Sequence, residues 1–429
     1  MSLWKNVMLL VCCCLTCGLY AQRDLSLSDA IEVGLRNNYD IQIVRANQEV
    51  AAVNNSWGAA GRYPSVQLNL RSVNVKDYND NKDFSNQILT PSLDLNWVLF
   101  HGFSVRIRKA KFEELYRLSQ GNTLVVVERS IQDIILVYYR VLLEREKLEV
   151  AEKIMQLSRD RYHKVKMGKE LGSAITFEVL QAQNAWLNDK SSYLIQRVNV
   201  NNAVRDLNFL MGERQGLTYH FTQEFQPDLT EYKMSDLLDE MLNNNSNLKN
   251  RYLQEALLEK EVILARRNSH PLISINGGIQ GNRTRNKFSG QQATTSESYN
   301  LYANVSLSYT LFAGGVHRRA VQIAKIQDDI GQVQTQSLKH SLTNQLAQLL
   351  ELYQVRRELY NLAQENLEAA DLNLRISSDK YNTGSINSFN YRDVQIIYQN
   401  AAVARLNAIY NLVASRTALM RITGGILEE

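Results

Sequence analysis

Cysteine is absent from nearly all of this chain. The 429 residues include four cysteines, and all of them lie near the N-terminus, at Cys12, Cys13, Cys14 and Cys17. Residues 1–21 combine Lys5, an apolar run and a small-residue exit at Ala21, which is typical of a secretory signal peptide. The mature chain is therefore predicted to contain neither disulfides nor thiolate metal sites. The alternative to cleavage after Ala21 is a lipid anchor on a leader cysteine, for which Cys17 is best placed.

Proline is also scarce. It occurs four times, as Pro64, Pro91, Pro227 and Pro271. We expect Pro64, Pro91 and Pro271 to mark the entrance to strand-like segments, which leaves the long intervals between them free to form helix.

The chain lacks the charge and the motifs of nucleic-acid-binding proteins and enzymes. Its formal net charge of +4 is spread along the sequence, which argues against a nucleic acid partner. The six histidines lie far apart, with no carboxylate or second histidine at ligand spacing, and no phosphate-binding glycine loop or nucleophile motif is present. The sequence therefore predicts no enzyme, no cofactor and no metal site. A mean hydropathy of -0.31 leaves little room for transmembrane helices.

What the chain does contain is an internal duplication. The segment from Tyr63 to Leu68 reappears without gaps as His270 to Ile275. Further matches join Asp29–Asn38 to Asp236–Asn245, Trp97–Gly102 to Tyr309–Gly314, and Thr176, Gln183, Asn188 and Gly212 to Ser388, Gln395, Asn400 and Gly424. A unit of roughly two hundred residues is too long for a solenoid repeat. We predict a first repeat at residues 22–212, a linker at 213–234 and a second repeat at 235–429.

Each repeat is predicted to contain a long helical hairpin. Residues 104–166 and 316–380 contain no proline, and their apolar side chains recur every three or four residues among charged ones. A helix of this length extends roughly 90 Å, too far to wrap around one core, so we expect antiparallel coiled coils. With return helices at about 176–211 and 388–422, the hairpins occupy about 104–212 and 316–423.

Each repeat also contains a predicted pair of amphipathic strands, at about 65–100 and 272–312. Apolar and polar residues alternate there over about ten residues, enough for a tilted strand to cross a bilayer. Aromatic residues suited to membrane interfaces lie near the strand ends, at Trp97, Phe100, Tyr309 and Phe312. A half-buried strand of a soluble sandwich shows the same alternation, so the pattern alone leaves that alternative open.

Polar loops at residues 76–90 and 282–300 are expected to cap the two strand pairs. The four strands of these pairs are too few to close a barrel. In lipid an open sheet edge is excluded, because its backbone groups would have no hydrogen-bond partner. We therefore predict an α+β membrane protein whose trimer forms a 12-stranded β-barrel continuous with a hollow α-helical tunnel.

These features together resemble the outer-membrane efflux proteins, the TolC-like family. The resemblance rests on the tandem repeat, on the Leu-Phe-x-Gly exits at 99–102 and 311–314, and on the pattern Lys-Tyr-Asn-Thr-Gly at 380–384 followed by Ser388. It covers essentially the whole mature chain. It implies a trimeric channel in the outer membrane, with a large periplasmic portion that meets a periplasmic adaptor and an inner-membrane RND or ABC transporter. Such channels serve tripartite efflux or type I secretion. The alternative is a periplasmic coiled-coil adaptor, which shares long helical hairpins.

The resemblance places candidate functional residues at the helical tips. The adaptor-docking candidates are Gly168, Gly172, Tyr381, Gly384 and Ser388. The candidates for a periplasmic constriction are Glu178, Asn390 and Asp393, with Lys166, Lys169 or Arg392 as the cations that would hold the mouth closed. Glu178 and Asp393 could equally be solvated helix positions. The spacing of the first tip motif predicts a longer tip than in the second repeat.

Overall fold

The structure is a computed structural model that describes residues 23–78 and 83–427. The predicted signal peptide and its cysteines lie outside the described residues. The chain divides into two compact units. Over the described residues, the first consists of residues 23–43, 125–245 and 342–427, and the second consists of residues 44–78, 83–124 and 246–341.

Two pairs of long helices dominate the fold. α3 (Ser104–Glu170) and α7 (Val316–Asn382) contain 67 residues each. Each is followed by a shorter return helix, α4 (Thr176–Leu210) or α8 (Ser388–Thr423). The predicted bounds agree with these to within a few residues, because no proline interrupts the helical pattern. The N-terminal parts of α3 and α7 belong to the second unit and their remainders to the first.

The first unit also contains short elements near the chain start and between the repeats. The strand β1 (Arg23–Leu25) pairs in parallel with β4 (Tyr219–Phe221), which lies in the segment predicted as a linker. The helix α1 (Leu27–Asn37) begins at a capping box formed by Ser26 and Asp29. Its counterpart α5 (Met234–Asn244) is followed directly by a helix that begins at Ser246 and belongs to the second unit. A three-residue strand is too short to show an alternating pattern, so neither β1 nor β4 could be predicted.

The first unit is held together by an antiparallel helix pair and by buried contacts to β1. The indole of Trp186 on α4 stacks on the ring of Tyr162 on α3, with centroids 5.6 Å apart. Tyr138 on α3 is fully buried, and its hydroxyl donates a hydrogen bond to the carbonyl of Leu25 at 2.8 Å. This bond satisfies a buried polar group and ties the first strand to the long helix.

The second unit combines helices with a four-stranded sheet. Its separate helices are α2 (Tyr39–Asn54, continuing from the first unit) and α6 (Ser246–Arg267). The antiparallel sheet has the order β2-β3-β5-β6. Its strands are β2 (Ser65–Asp77), β3 (Phe84–His101), β5 (Leu272–Phe288) and β6 (Thr294–Ser308).

The strands are longer than predicted. Most of the predicted polar loops at 76–90 and 282–300 is paired strand, which the polar composition of these segments concealed. Pro91 was predicted at a strand entrance but lies inside β3, opposite Leu70 of β2. The pairing of β3 with β5 is interrupted at Thr90 and Pro91, since proline has no N–H to donate to the neighbouring strand.

Candidate functional site

The strand register places apolar side chains on one face of the sheet. Leu68 lies opposite Leu93, Leu93 opposite Ile279, and Ile279 opposite Leu301. In the single chain these side chains are 80%, 45%, 52% and 82% exposed, respectively. The row beside them also carries only apolar residues and glycine, namely Val66, Leu95, Gly277 and Ala303. An exposed apolar surface that spans four strands is suited to lipid or to another protein surface.

The opposite face of the sheet is hydrophilic and hydrogen-bonded. The carboxylate of Asp94 accepts hydrogen bonds from the hydroxyl of Tyr302 and from the amide of Asn69, the latter at 2.8 Å. Gly278 lies between Asp94 and Tyr302 in the same row, and a Cβ there would lie 3.0 Å from the Tyr302 hydroxyl and 2.3 Å from a backbone oxygen of β3. Glycine thus allows the tyrosine to reach across β5. The sequence pattern showed the polar alternation but not this network.

The sheet has two open edges. Within the described residues, β2 pairs only with β3, and β6 pairs only with β5. The outer backbone groups of β2 and β6 therefore have no partner strand in the part of the chain that the structure describes. Such edges must be paired wherever water is absent.

The predicted interface aromatics lie at one end of the sheet. In β3, the indole N–H of Trp97 donates to the carbonyl of Arg62 at 2.9 Å, and the Phe100 ring packs edge-on against Phe103 at 5.2 Å. Tyr309 and Phe312 lie beyond β6, so the predicted strand end at residue 312 is wrong. β6 stops at Ser308 because that residue already faces Leu272, the first residue of β5.

The two helical tips have the same backbone geometry. Gly172 and Gly384 both adopt φ of +79°, a left-handed conformation that favours glycine. In both turns the following serine donates its N–H to the carbonyl five residues earlier, at 2.8 Å, as in a Schellman motif. The prediction of a longer first tip is therefore wrong. Gly168 lies in the last turn of α3 and supplies a carbonyl acceptor, whereas the reversal itself occurs at Gly172.

A buried charge cluster lies behind the tips. The guanidinium of Arg392 on α8 donates to both carboxylate oxygens of Asp189 on α4, at 2.7 and 2.8 Å. Arg161 on α3 is only 4% exposed and donates to the carbonyl of Ser388, the first residue of α8, at 3.0 Å. Burial, and next the charge of Arg392, lower the pKa of Arg161. Three cations were predicted to hold the periplasmic mouth closed. Of these, Arg392 is paired with Asp189, whereas Lys166 and Lys169 are exposed.

Two tyrosines pack beside this cluster. The rings of Tyr381 and Tyr391 stack with centroids 4.6 Å apart, and both are less than a tenth exposed. Burial raises the pKa of Tyr381, so its phenol is neutral at physiological pH. The ammonium of Lys164 donates to the carbonyl of Tyr381 at 2.7 Å. Tyr381 therefore supports the tip from inside, and a docking partner would meet the exposed turns.

The constriction candidates lie at helix starts. The carboxylate of Glu178 accepts the N–H of Ile175 at 3.2 Å, which caps α4. In α8 the N–H of Asn390 donates to the Asn387 side chain at 2.9 Å. The first turn of α8 is therefore capped by the side chain that precedes the helix, whereas α4 is capped by a side chain within its first turn. Asp393 is exposed on the first turns of α8. Local capping accounts for the Glu178 side chain in the single chain, whereas Asn390 contributes only its backbone N–H. The role of both residues in a constriction stays a prediction.

Comparison with known proteins identifies the C-terminal part of the described chain. Residues 237–425 match the family of outer membrane efflux proteins. This part of the chain is an outer membrane efflux protein domain. No curated protein sequence matches the chain.

Solved structures share the fold of the efflux domain and of the region before it. The outer-membrane channel OprN is 17% identical with a TM-score of 0.72, over 93% of this chain and 90% of that one. The CmeC outer membrane channel of Campylobacter jejuni is 17% identical with a TM-score of 0.73, over 93% and 85% of the two chains. The open state of the MtrE outer membrane channel of Neisseria gonorrhoeae is 15% identical with a TM-score of 0.68, over 94% and 89%.

The tip outside the efflux domain differs in surface chemistry from the tip within it. Four apolar side chains of the first tip are more than half exposed, namely Met167, Leu171, Ile175 and Phe177. At matching turn positions the efflux domain carries polar Thr383 and Asn387. Exposed apolar side chains of this kind mark a protein contact surface. Apolar residues around a glycine turn were the sequence signal for this patch, which the prediction of docking residues missed because it relied on glycine, tyrosine and serine.

The histidines do not converge on a single site. His220 lies 3.1 Å from Asp24, nitrogen to oxygen, a pair that their distance in sequence concealed. Over residues 23–78 and 83–427, no group of three histidine, aspartate or glutamate side chains is placed to bind a metal. Across the same residues, no helix has the length and apolar character needed to cross a membrane.

Proposed function

We propose that this protein is the outer-membrane exit channel of a tripartite efflux or type I secretion system. It passively conducts substrates to the cell exterior from a periplasmic adaptor and an inner-membrane transporter of the RND or ABC type. The observation that carries the proposal is the two-faced sheet with two open edges. One face is apolar, the other is hydrogen-bonded and polar, and β2 and β6 lack outer partners among residues 23–78 and 83–427.

A homotrimer satisfies the open edges. Pairing β6 of one copy with β2 of the next around a threefold axis gives a closed 12-stranded barrel, in which the outer backbone groups of β2 and β6 have partners. The apolar rows containing Leu68 and Leu301 then face lipid. The row containing Asp94 and Tyr302 faces a water-filled lumen, where its polar groups remain solvated.

The long helices extend the conduit into the periplasm in this proposal. Twelve long and return helices from three chains would form a hollow tunnel, with the tips at its inner end. The apolar patch of Leu171 and Phe177 provides a surface on which an adaptor can bury area. Gly172 fixes the reversal that presents this patch, and Gly384 fixes the matching reversal of the second tip. The proposal includes no catalytic step.

The alternative of a periplasmic adaptor is not favoured. An adaptor has no need of a sheet with an exposed apolar face. The family match and the solved structures with this fold are outer-membrane efflux proteins and channels.

Reconstitution in planar lipid bilayers tests the proposal. The purified protein should insert and produce stepwise conductance increments of uniform size. A matched control is the double variant Leu68→Asp and Leu301→Asp, which places carboxylates on the lipid-facing edge strands and should abolish insertion. A wild-type protein that stays monomeric without detergent and produces no conductance would overturn the proposal.

A further inference from the structure

A row of cations continues the apolar face of β5 beyond its apolar segment. Side chains alternate between the two faces of a strand, so residues two apart lie on one face. Ile279 and Gly281 belong to the apolar face. The next residues on that face are Arg283, Arg285 and Lys287, and all three are exposed.

This cationic row begins where the apolar face ends. Arg283 lies opposite Leu89, the first apolar residue of β3 on this face. Beside it, the Tyr299 ring covers Gly281, so that a Cβ on the glycine would lie 3.4 Å from the ring. Tyr299 is itself 79% exposed. An exposed tyrosine between an apolar face and a set of cations matches the chemistry of a membrane interface.

The row carries an excess of positive charge. Arg283 forms an ion pair with Glu297 of β6, with nitrogen and oxygen 3.3 Å apart. Within the described residues, no ion pair involves Arg285 or Lys287. Lys76 of β2 adds another cation on the same face, because Lys76 and Lys287 both lie opposite Ser85 of β3.

The cations are confined to one face of a central strand. On the other face of β5, Thr284 and Asn286 are uncharged, and Phe288 packs against Phe84 with ring centroids 4.8 Å apart. β5 already has β3 and β6 as neighbours. Pairing with another copy of the chain at the sheet edges therefore leaves this row uncovered.

We propose that Arg283, Arg285 and Lys287 bind the phosphate groups of anionic lipid headgroups at the membrane surface. Guanidinium groups bind phosphate oxygens in pairs, and a lysine adds a point charge. The row lies at the hairpin-turn end of the sheet, opposite the end of β3 that leads into α3 at Ser104, so it meets the outer leaflet when the helices are periplasmic. The inference rests on the proposed function, because the apolar face must contact lipid.

Lipid titration of the detergent-solubilised full-length protein tests this site. The probes are mixed micelles that carry lipid A, which bears two phosphates, or phosphatidylcholine, together with inorganic phosphate as the free ion. The test variant is Arg283→Gln, Arg285→Gln and Lys287→Gln combined. The matched control removes three exposed cations from helices of the same unit, with Arg266→Gln, Arg318→Gln and Lys325→Gln combined. Binding is followed by native mass spectrometry of the lipid that the protein retains at each lipid concentration.

We expect the wild type and the control to bind lipid A alike, and the test variant to bind it roughly a hundredfold more weakly. Each basic side chain near an anionic lipid surface contributes about fivefold in affinity. Four results would each overturn the site. They are an unchanged lipid A affinity in the test variant, an equal loss of affinity in the control variant, phosphatidylcholine binding as strong as lipid A binding, and full competition by millimolar inorganic phosphate. Bilayer conductance separates the two proposals. The test variant should still form channels, whereas failure of the wild type to form them would refute the proposed function itself.

Discussion

The guanidinium of Arg392 and the carboxylate of Asp189 form a two-point ion pair in which the side chains are only 17% and 8% exposed. The pair joins α8 to α4, the two return helices, close behind the tips. Removing one partner from a buried ion pair typically costs about 3–5 kcal/mol, because the other charge is left without compensation. Here the remaining charge would also face Arg161. We therefore expect this pair to hold the two return helices in the arrangement of the structure.

Asp189→Asn should loosen the periplasmic mouth. The substitution keeps the size of the side chain and removes the charge that balances two guanidinium groups. In planar bilayers we expect the open probability to rise at least about tenfold, which corresponds to a loss of ~1.4 kcal/mol from the closed state.

The control for this experiment is Asp160→Asn. Asp160 pairs with Arg159 on the surface of α3, where the two side chains are 71% and 56% exposed, and exposed pairs contribute little. Its gating should match the wild type. Equal gating in both variants would show that the Arg392–Asp189 pair does not hold the mouth.

Valine at the tip glycines should impair export. Gly172 and Gly384 have φ of +79°, and a Cβ added at either position would meet no atom within 4 Å, so the strain arises from the backbone alone. Gly384→Val or Gly172→Val should cost roughly 1 kcal/mol or more at the turn and distort the docking surface. Pump-dependent efflux from cells should fall while the amount of assembled trimer stays constant.

Gly168→Ala is the matched comparison for these tip variants. Gly168 is helical, so alanine fits its backbone, and the nearest obstacle is the rotatable Ser173 hydroxyl at 3.2 Å. Efflux should be retained. If Gly384→Val transports as well as Gly168→Ala does, the tips are not the docking surface.

Neutralising Glu178 and Asp393 should weaken cation preference. A threefold axis would repeat each carboxylate three times around the mouth and concentrate its field there. In planar bilayers, Glu178→Gln with Asp393→Asn should reduce both cation selectivity and block by multivalent cations. Glutamine can still accept the Ile175 N–H, so helix capping is preserved in this variant.

Glu178→Ala separates capping from charge. If the alanine variant changes the channel and the glutamine variant leaves selectivity and block at wild-type values, Glu178 acts only as a cap. If both variants lose cation preference, the carboxylate itself forms part of the constriction.

The helices could be predicted closely from the sequence, and the strands less so. A run without proline and with helical periodicity marks both ends of α3 and α7, so their bounds needed no tertiary information. The strands continue into segments such as 84–90, where polar residues outnumber apolar ones and the adjacent Ile88 and Leu89 interrupt the alternation. Pro91 suggested a strand start, but a strand accommodates it by interrupting the pairing on one side.

The functional residues depended more strongly on tertiary structure. The tip glycines could be found because a helix reversal needs a residue with positive φ. Arg161, Asp189 and Arg392 come from three different helices, and each resembles an ordinary helix charge in the sequence. The Asp94–Tyr302 contact requires the register of three strands. Charged and uncharged residues alternate in the sequence from Arg283 to Lys287. The position of these cations next to the apolar face follows only from the pairing of Arg283 with Leu89.

The number of chains per particle tests the central claim most directly. β2 and β6 are open edges within the described residues of one chain, and a closed barrel requires other copies of the chain to pair with them. Mass measurement of the detergent-solubilised mature protein should give three chains per particle, with strand content that resists heat. Because the predicted mature chain has no cysteine, a scan of engineered cysteine pairs, one on β2 and one on β6, should yield covalent trimers. A stable monomer in buffer without detergent, with no cross-link at any pair of edge positions, would contradict the account.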